Sequence, residues 1–352
     1  MASYSTARWS AFQFKVDELM QKPEFKKNPS PALMKFKENS SFLIPASERE
    51  RVLGIKQTDQ DTVEINLINK QSISTTSARA ATHTGSINDS TKETLSFTTY
   101  AADFTYSKKS ANRTIWEEAE MVSAQIISAS IALHSSIETA LMTKLNTEKN
   151  QSVVSLTPRS AVWDETNFIM QIALSDYDLW MQRTKGFMRE NYYRDNMIET
   201  IVDETLFQKG EYLIQQGQGN GTNLSWQSAG VNASVTNDLT LDDGYKGMGY
   251  AFPLGSIGLM DWIPQLNRQG YGERSSNDGL YTSIPDPLGS GLVFAVHEYS
   301  ERADNESAAG ETQDVNFNIE ISVDIAAVIA PMSTADASPV YKFGVLDAEV
   351  VA

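Results

Sequence analysis

A single long amphipathic helix is the sequence feature that most constrains this chain. Residues 114–117 read Thr-Ile-Trp-Glu, a capping box in which the threonine and glutamate side chains cap the first helical turn. Apolar side chains then recur every three or four residues to about residue 147, uninterrupted by proline or glycine. A helix of this length spans about 50 Å, more than is common in globular proteins. The recurring side chains are Ile115, Ala119, Val122, Ile126, Ala129, Leu133, Ile137, Leu141 and Leu145.

The same helix carries a second apolar set on its opposite side, formed by Ala124, Ile127, Ile131 and Met142. A helix that is apolar on two sides must be covered on two sides. The sequence therefore predicts either a second layer of the fold or a neighbouring subunit against this helix.

Composition places the chain among large globular proteins without disulfide or thiol chemistry. Its 352 residues are 41% hydrophobic, which is enough for a sizeable core and predicts about two domains. It contains no cysteine, which excludes disulfides, thiol catalysis and cysteine-based zinc sites and fits a reducing cytoplasm. We expect no signal peptide, and no apolar run reaches the length of about 18 residues that predicts a membrane span.

Charge is distributed unevenly along the chain. The net charge is -16, yet residues 1–56 carry ten basic and six acidic side chains, against 19 basic and 39 acidic in the remainder. A basic arm on an acidic body is expected to lie on acidic surface, its own or a neighbour's. The acidic body repels phosphate, so we predict no sequence-specific reading of nucleic acid.

The first third of the sequence predicts extended appendages. In residues 1–56, short apolar clusters separated by prolines cannot form a core of their own and are expected to dock elsewhere. Residues 57–113 predict a long hairpin, with strands near 63–67 and 95–106 and a polar tip at 72–92. Such a hairpin is expected to rest on something beyond its own domain.

The rest of the sequence predicts mixed helices and strands. A short strand is expected at 153–156, followed by helices at about 164–190, with a break near Gly186, and about 195–215. Strands are predicted at 291–299 and 340–346. Between them, alternate apolar residues from Val315 to Ile329 predict one very long half-buried strand.

The residues that could carry chemistry do not form a recognisable site. The three histidines, His83, His134 and His297, are far apart, and His134 is predicted to form a surface pair with Glu138 one helical turn away. The glycine-rich run at 217–221 lacks the Lys-Ser/Thr of a phosphate loop and predicts a helix end. Acidic pairs such as Asp242-Asp243 are too common here to nominate as catalytic carboxylates. We predict no catalytic, cofactor-binding or metal-binding residues and no enzymatic activity.

The order of these elements resembles that of the major capsid proteins of tailed bacteriophages with the HK97-type fold. The resemblance implies an α+β fold with an N-terminal arm at 1–56, an E-loop hairpin at 57–113 and a spine helix within the first part of the peripheral (P) domain at 114–160. It implies an axial (A) domain at 161–314 and C-terminal P-domain strands at 315–352. The helix-then-turn sequence at 211–227 is also similar to many such capsids.

What this resemblance implies is a structural role in a virion. The chain would self-assemble as hexamers and pentamers into an icosahedral shell around double-stranded DNA, in the host cytoplasm, with decoration, portal and scaffolding proteins as further partners. Encapsulin nanocompartments share the fold and stay an alternative, as does another virion or tail protein. The alternative from a different class is a hydrolase with a carboxylate-based site.

Overall fold

The computed structural model describes residues 6–25, 30–57, 62–68, 90–107, 118–194, 198–217, 231–268, 279–303, 314–332 and 337–348. The helices are α1 (Thr6–Leu19), α2 (Pro31–Leu43), α3 (Ala46–Lys56), α4 (Glu118–Thr147), α5 (Trp180–Glu190), α6 (Glu204–Gly217) and α7 (Gln265–Arg268), with a 3₁₀ helix at Leu174–Leu179. The strands are β1 (Thr62–Ile68), β2 (Ser90–Ser96), β3 (Thr98–Ser107), β4 (Val162–Asp164), β5 (Ile169–Ile172), β6 (Ile198–Val202), β7 (Val231–Val235), β8 (Tyr245–Pro253), β9 (Ile257–Trp262), β10 (Leu280–Pro285), β11 (Val293–Ala303), β12 (Asp314–Ile329) and β13 (Tyr341–Leu346).

The long helix α4 lies in the main hydrophobic core, and the rest of its own chain covers it on both sides. It packs against α1 and α2 of the arm and against β3 and β12. Ile127 and Met142, from the second apolar set, are buried together with Val122 and Ile126 from the first. A second layer of the fold therefore supplies the cover, and no neighbour is needed for it. The proposed capping box lies outside the described residues.

Length and hydropathy alone would let α4 cross a membrane. Half of its most apolar window is buried inside this fold, however, and it is surrounded by α1, α2 and two strands. We therefore assign it as a core helix.

The arm helices pack on the body of the same chain. Trp9, Phe12, Val16 and Leu19 of α1 are buried in the core that contains α4. Prolines define the next two helices, because Pro31 occupies the first turn of α2 and Pro45 is the N-cap of α3, positions that need no backbone donor. The apolar clusters of the arm therefore dock on the body of the same chain, as expected for a segment that has no core of its own.

A five-stranded antiparallel sheet packs against α4. Its order is β10-β11-β12-β3, and β9 pairs with the C-terminal half of β12. β12 is 16 residues long, which confirms the strand predicted from its alternating pattern. The predicted strand at 291–299 is confirmed as β11.

The hairpin is confirmed in its described part, where β1 and β2 pair antiparallel from Thr62↔Ser96 to Ile68↔Ser90. Its tip, at 69–89, lies outside the described residues. Val63, Ile65, Leu67 and Leu95 form one buried face in a cluster with α3, β9 and β12. This part of the ribbon therefore rests on elements outside residues 57–113, and these elements belong to the same chain.

A six-stranded mixed sheet, with the order β4-β5-β13-β8-β6-β7, forms the centre of a separate core with α5 and α6. Two stacked aromatic pairs, Trp163 with Phe187 and Trp180 with Phe343, join the helices to the sheet. The C-terminal strand β13 lies inside this sheet, where it pairs parallel with β5 and antiparallel with β8.

Sheet membership does not follow the domain boundaries drawn from the sequence. β9, β10 and β11 fall within 161–314 yet belong to the sheet of β12, and β13 falls within 315–352 yet joins the sheet of β5 and β8. Both differences arise because strands pair with partners that are distant in the sequence. The sequence of a strand does not by itself specify the sheet that the strand joins. How the chain divides into domains stays a prediction.

Three local predictions were wrong. The span 164–190 contains β5, a 3₁₀ helix and α5 rather than one helix, and α5 continues through Gly186. The span 195–215 contains the strand β6 before α6, and no strand forms at 153–156. β5 and β6 are short and buried on both faces, so their apolar residues show no alternation.

Candidate assembly surfaces

The arm is joined to the body by a buried carboxylate at the start of α2. Ala32 N–H donates to Glu138 Oε2 of α4 at 3.0 Å, and Leu33 N–H donates to the same oxygen at 3.4 Å. The Thr236 hydroxyl donates to Oε1 at 2.7 Å. Amides in a first helical turn lack partners within the helix, and the helix dipole favours an anion there. Burial raises the pKa of Glu138, although these hydrogen bonds oppose that shift.

His134 forms a second set of buried polar contacts between α2 and the body, each such set being called a tie from here on. Its predicted surface pairing with Glu138 is wrong. Ser30 N–H donates to Nδ1 at 3.2 Å, so the ring proton lies on Nε2, which is 2.9 Å from Asp286 Oδ2. Burial acts to raise the pKa of Asp286, but His134 together with Ser290 and the Leu288 amide lowers it below its usual value. The tie connects the start of α2, α4 and the loop between β10 and β11.

A third tie connects α2 to the six-stranded sheet. Lys35 Nζ lies 3.4 Å from Glu199 Oε1 of β6, and Asn39 Nδ2 donates to Glu199 Oε2 at 2.6 Å. Asn39 Oδ1 accepts from Gly255 N–H, also at 2.6 Å. Gly255 has a φ of 78°, which favours glycine in this turn between β8 and β9. α2 is therefore fixed to both sheets as well as to α4.

The root of the hairpin is fixed by a buried lysine. Lys56, the last residue of α3, has a side chain only 4% exposed, and its Nζ lies 3.1 Å from Asp324 Oδ2 of β12. The same Nζ lies 5.3 Å from the Phe97 ring centroid and 5.1 Å from that of Trp262. Phe97 separates β2 from β3, so this cluster holds the point at which the hairpin leaves the body.

Apolar side chains are exposed beside the C-terminal end of α5. Val154, Leu156 and Tyr192 are 62%, 60% and 80% exposed. Val154 N–H donates to Asn191 Oδ1 at 3.2 Å, which brings its loop next to Tyr192. Tyr192 has a φ of 66°, a left-handed conformation that is strained for a tyrosine. Grouped exposed apolar side chains are typical of interaction surfaces.

The residues considered for chemistry form no common site in the part of the chain that the structure describes. His134 is buried in the α2 tie, and His297 on β11 stacks on Tyr281 with ring centroids 4.6 Å apart. His83 lies outside the described residues, as do residues 218–221 of the glycine-rich run. Among the described side chains, no group of three or more acidic or histidine residues is arranged to hold a metal ion. Asp242 pairs with Lys342 at 2.6 Å.

The comparisons with known proteins identify the fold. No family model and no curated protein sequence matches the chain. The capsid asymmetric unit of cyanophage A-1(L) is similar over 90% of this chain and 93% of its own, with a TM-score of 0.50 and 12% identity. Mycobacterium phage Cain (11% identity, TM-score 0.46, covering 91% and 90%) and Mycobacterium phage Bobi (12%, 0.45, 92% and 92%) are also similar.

The chain therefore has the α+β, HK97-type fold found in capsid structures of tailed phages, as predicted. The sequence did not reveal the polar ties of α2 or the lysine at the hairpin root. Their partners lie about 100 to 270 residues apart along the chain.

Proposed function

We propose that this chain is the major capsid subunit of a tailed phage, which self-assembles as hexamers and pentamers into an icosahedral shell around double-stranded DNA. The likeness to a phage capsid fold over nine-tenths of the chain carries the proposal. A fold alone can serve several functions. Here the hairpin, whose outer face is polar, and the exposed apolar side chains near Tyr192 add surfaces suited to contacts between subunits.

The acidic net charge of the chain supports DNA as the proposed content of the shell. An acidic protein with a net charge of -16 attaches weakly to phosphate, so packaged DNA could slide during filling. We propose DNA enclosed without sequence readout, and portal, decoration and scaffolding proteins as further partners.

Negative-stain electron microscopy of the purified protein tests the shell, and shortening the hairpin tests the role of its tip. Because Ile68 faces Ser90 across the β1–β2 ladder, residues 69–89 can be replaced by Asn-Gly, a sequence suited to a two-residue turn. We expect this variant to fold, with unchanged circular dichroism, but to form no shells.

The matched control replaces residues 69–89 with a Gly/Ser segment of the same length, which separates the effect of length from that of sequence. Normal shells from the Asn-Gly variant would refute the proposed role of the hairpin. A wild-type protein that stays a compact monomer in gel filtration at every concentration tested, and forms no shells, would refute the shell itself and favour the hydrolase alternative. Particles that contain a cargo enzyme in place of DNA would instead identify an encapsulin.

A further inference from the structure

A groove of about 400 Å³ lies between α3, the end of β9 and the start of β11. Its apolar lining includes Leu53 and Val293, and Trp262 lies beside them. Arg49 and Arg268 also line it, together with one acidic residue, Asp261. The groove therefore combines an apolar surface with a small excess of positive charge on a strongly acidic protein.

The indole of Trp262 lacks a hydrogen-bond acceptor within the described part of the chain. The residue is only 8% exposed, and its Nε1 is buried without a partner. A buried indole N–H normally finds an acceptor. The Nε1 atom is closed to solvent in this conformation, so the groove offers a ligand its guanidinium groups and apolar lining rather than this N–H.

The guanidinium groups beside this indole are also available for pairing. The Arg268 guanidinium lies 5.5 Å from the Trp262 ring centroid. Neither Arg268 nor Arg49 forms an ion pair with any described carboxylate. Lys56, whose ammonium group also lies over the Trp262 ring, is by contrast paired with Asp324. Guanidinium groups bind planar carboxylates through two parallel hydrogen bonds.

We infer that this groove binds a carboxylate-bearing segment of a second copy of the chain, an inference that rests on the proposed function. The carboxylate would pair with Arg49 and Arg268. An apolar side chain of the segment would cover Leu53 and Val293.

Charge complementarity favours a second copy as the occupant. Each subunit carries 45 acidic side chains against 29 basic ones, so a neighbour in a shell presents carboxylates in excess. The apolar lining disfavours a polyanion such as nucleic acid, since a phosphate chain would lose hydration against the apolar surface.

Charge reversal at the groove tests the inference. The variant Arg49→Glu/Arg268→Glu is expected to raise the subunit concentration needed for assembly at least tenfold, while Arg49→Lys/Arg268→Lys raises it less. Lys22→Glu/Lys246→Glu, at two exposed lysines outside the groove, controls for the same change of four units in net charge. Light scattering measures assembly, and circular dichroism verifies that each variant is folded.

A direct readout comes from crosslinking, which the absence of cysteine makes specific. Val293→Cys, labelled with a benzophenone maleimide and irradiated in assembled shells, is expected to capture a peptide with Asp or Glu from another copy. Mixing isotopically light and heavy subunits identifies crosslinks between copies by mass spectrometry.

Three results would overturn the inference. Assembly of the double charge reversal at the wild-type concentration, with normal shells, would do so and leave the proposed function standing. Crosslinks found only within the labelled copy would likewise overturn the inference and leave the proposed function standing. A change in the Trp262 fluorescence of free subunits with inorganic phosphate, absent in Trp262→Phe, would assign the groove to a small anion. Wild-type protein that never assembles would instead refute the proposed function, and this inference with it.

Discussion

The ion pair between Lys56 and Asp324 gives the sharpest test of how the hairpin is held. Lys56→Met keeps a side chain of similar length between Phe97 and Trp262 but removes the charge. Asp324 then stays largely buried, with its hydrogen bond from Thr99 at 2.7 Å as the remaining compensation. We expect the free energy of unfolding to fall by about 3 kcal/mol, the lower end of the range for breaking a buried pair.

The magnitude follows from three contributions. Breaking a buried pair by removing one partner costs about 3–5 kcal/mol. The lost cation–π contacts cost about 0.5–2 kcal/mol, and contacts of the methionine sulfur with the same rings return about 0.3–1.5 kcal/mol. The loss of the cation–π contacts and the gain of the sulfur contacts roughly cancel. The hydrogen bond from Thr99 to Asp324 keeps the total loss at the lower end of the range for a broken buried pair. In Lys56→Met/Asp324→Asn no unpaired charge is left, so the loss falls to about 1–2 kcal/mol.

Urea unfolding of unassembled subunits, followed by circular dichroism, measures these losses. Lys92→Met is the matched control, because Lys92 pairs with Glu64 at the same 3.1 Å but with both side chains more than 60% exposed. It is expected to cost no more than about 1 kcal/mol. The reasoning fails if Lys56→Met costs no more than Lys92→Met, or if the losses of the two single variants simply add in the double variant.

Two further predictions concern α2 and the loop after α5. Burial raises the pKa of Glu138, so ionisation of this carboxyl group opposes folding. The free energy of unfolding of the wild type, relative to that of Glu138→Gln, should therefore fall as the pH rises. The fall begins at about pH 4, the usual carboxyl pKa, and continues through the raised pKa of the folded state. Urea midpoints between pH 4 and 8 measure this, and a rise would contradict it. Tyr192→Gly removes left-handed strain and should raise the free energy of unfolding by about 1 kcal/mol while weakening assembly. Unfolding midpoints and light scattering measure the two effects, and a variant that improves both would contradict the proposed interface.

The sequence predicts elements well where a pattern is long. β12 alternates over most of its length because one face lies in the core that contains α4, and only near its end are Ala326 and Val328 of the other face also buried. β5 and β6 were mistaken for parts of helices because they are four and five residues long and buried on both faces. Such runs do not distinguish a central strand from a buried helical turn.

The candidate surfaces were less predictable than the fold. His134 and Glu138 are one turn apart on α4, which favoured a local pair, yet each binds residues about 100 or more positions away. Their burial depends on where α2 docks, and that position is set by packing rather than by the sequence around them. The groove at Trp262 likewise combines residues of α3, β9 and β11, and no local motif marks it.

If the chain assembles as proposed, the way in which it covers its long helix decides where the energy of assembly must lie. The sequence predicted either a second layer of the fold or a neighbouring subunit against α4, and α1, α2 and two strands supply that cover. Contacts between subunits must then come from exposed groups such as Leu156 and Tyr192, each worth about 1.5–3 kcal/mol when fully buried. Any one such contact is weak after the cost of association is subtracted. A closed shell gives each subunit several neighbours at once, so weak contacts add up and assembly depends steeply on concentration. A stable monomer that assembles above a threshold concentration is therefore the behaviour that the proposed function predicts.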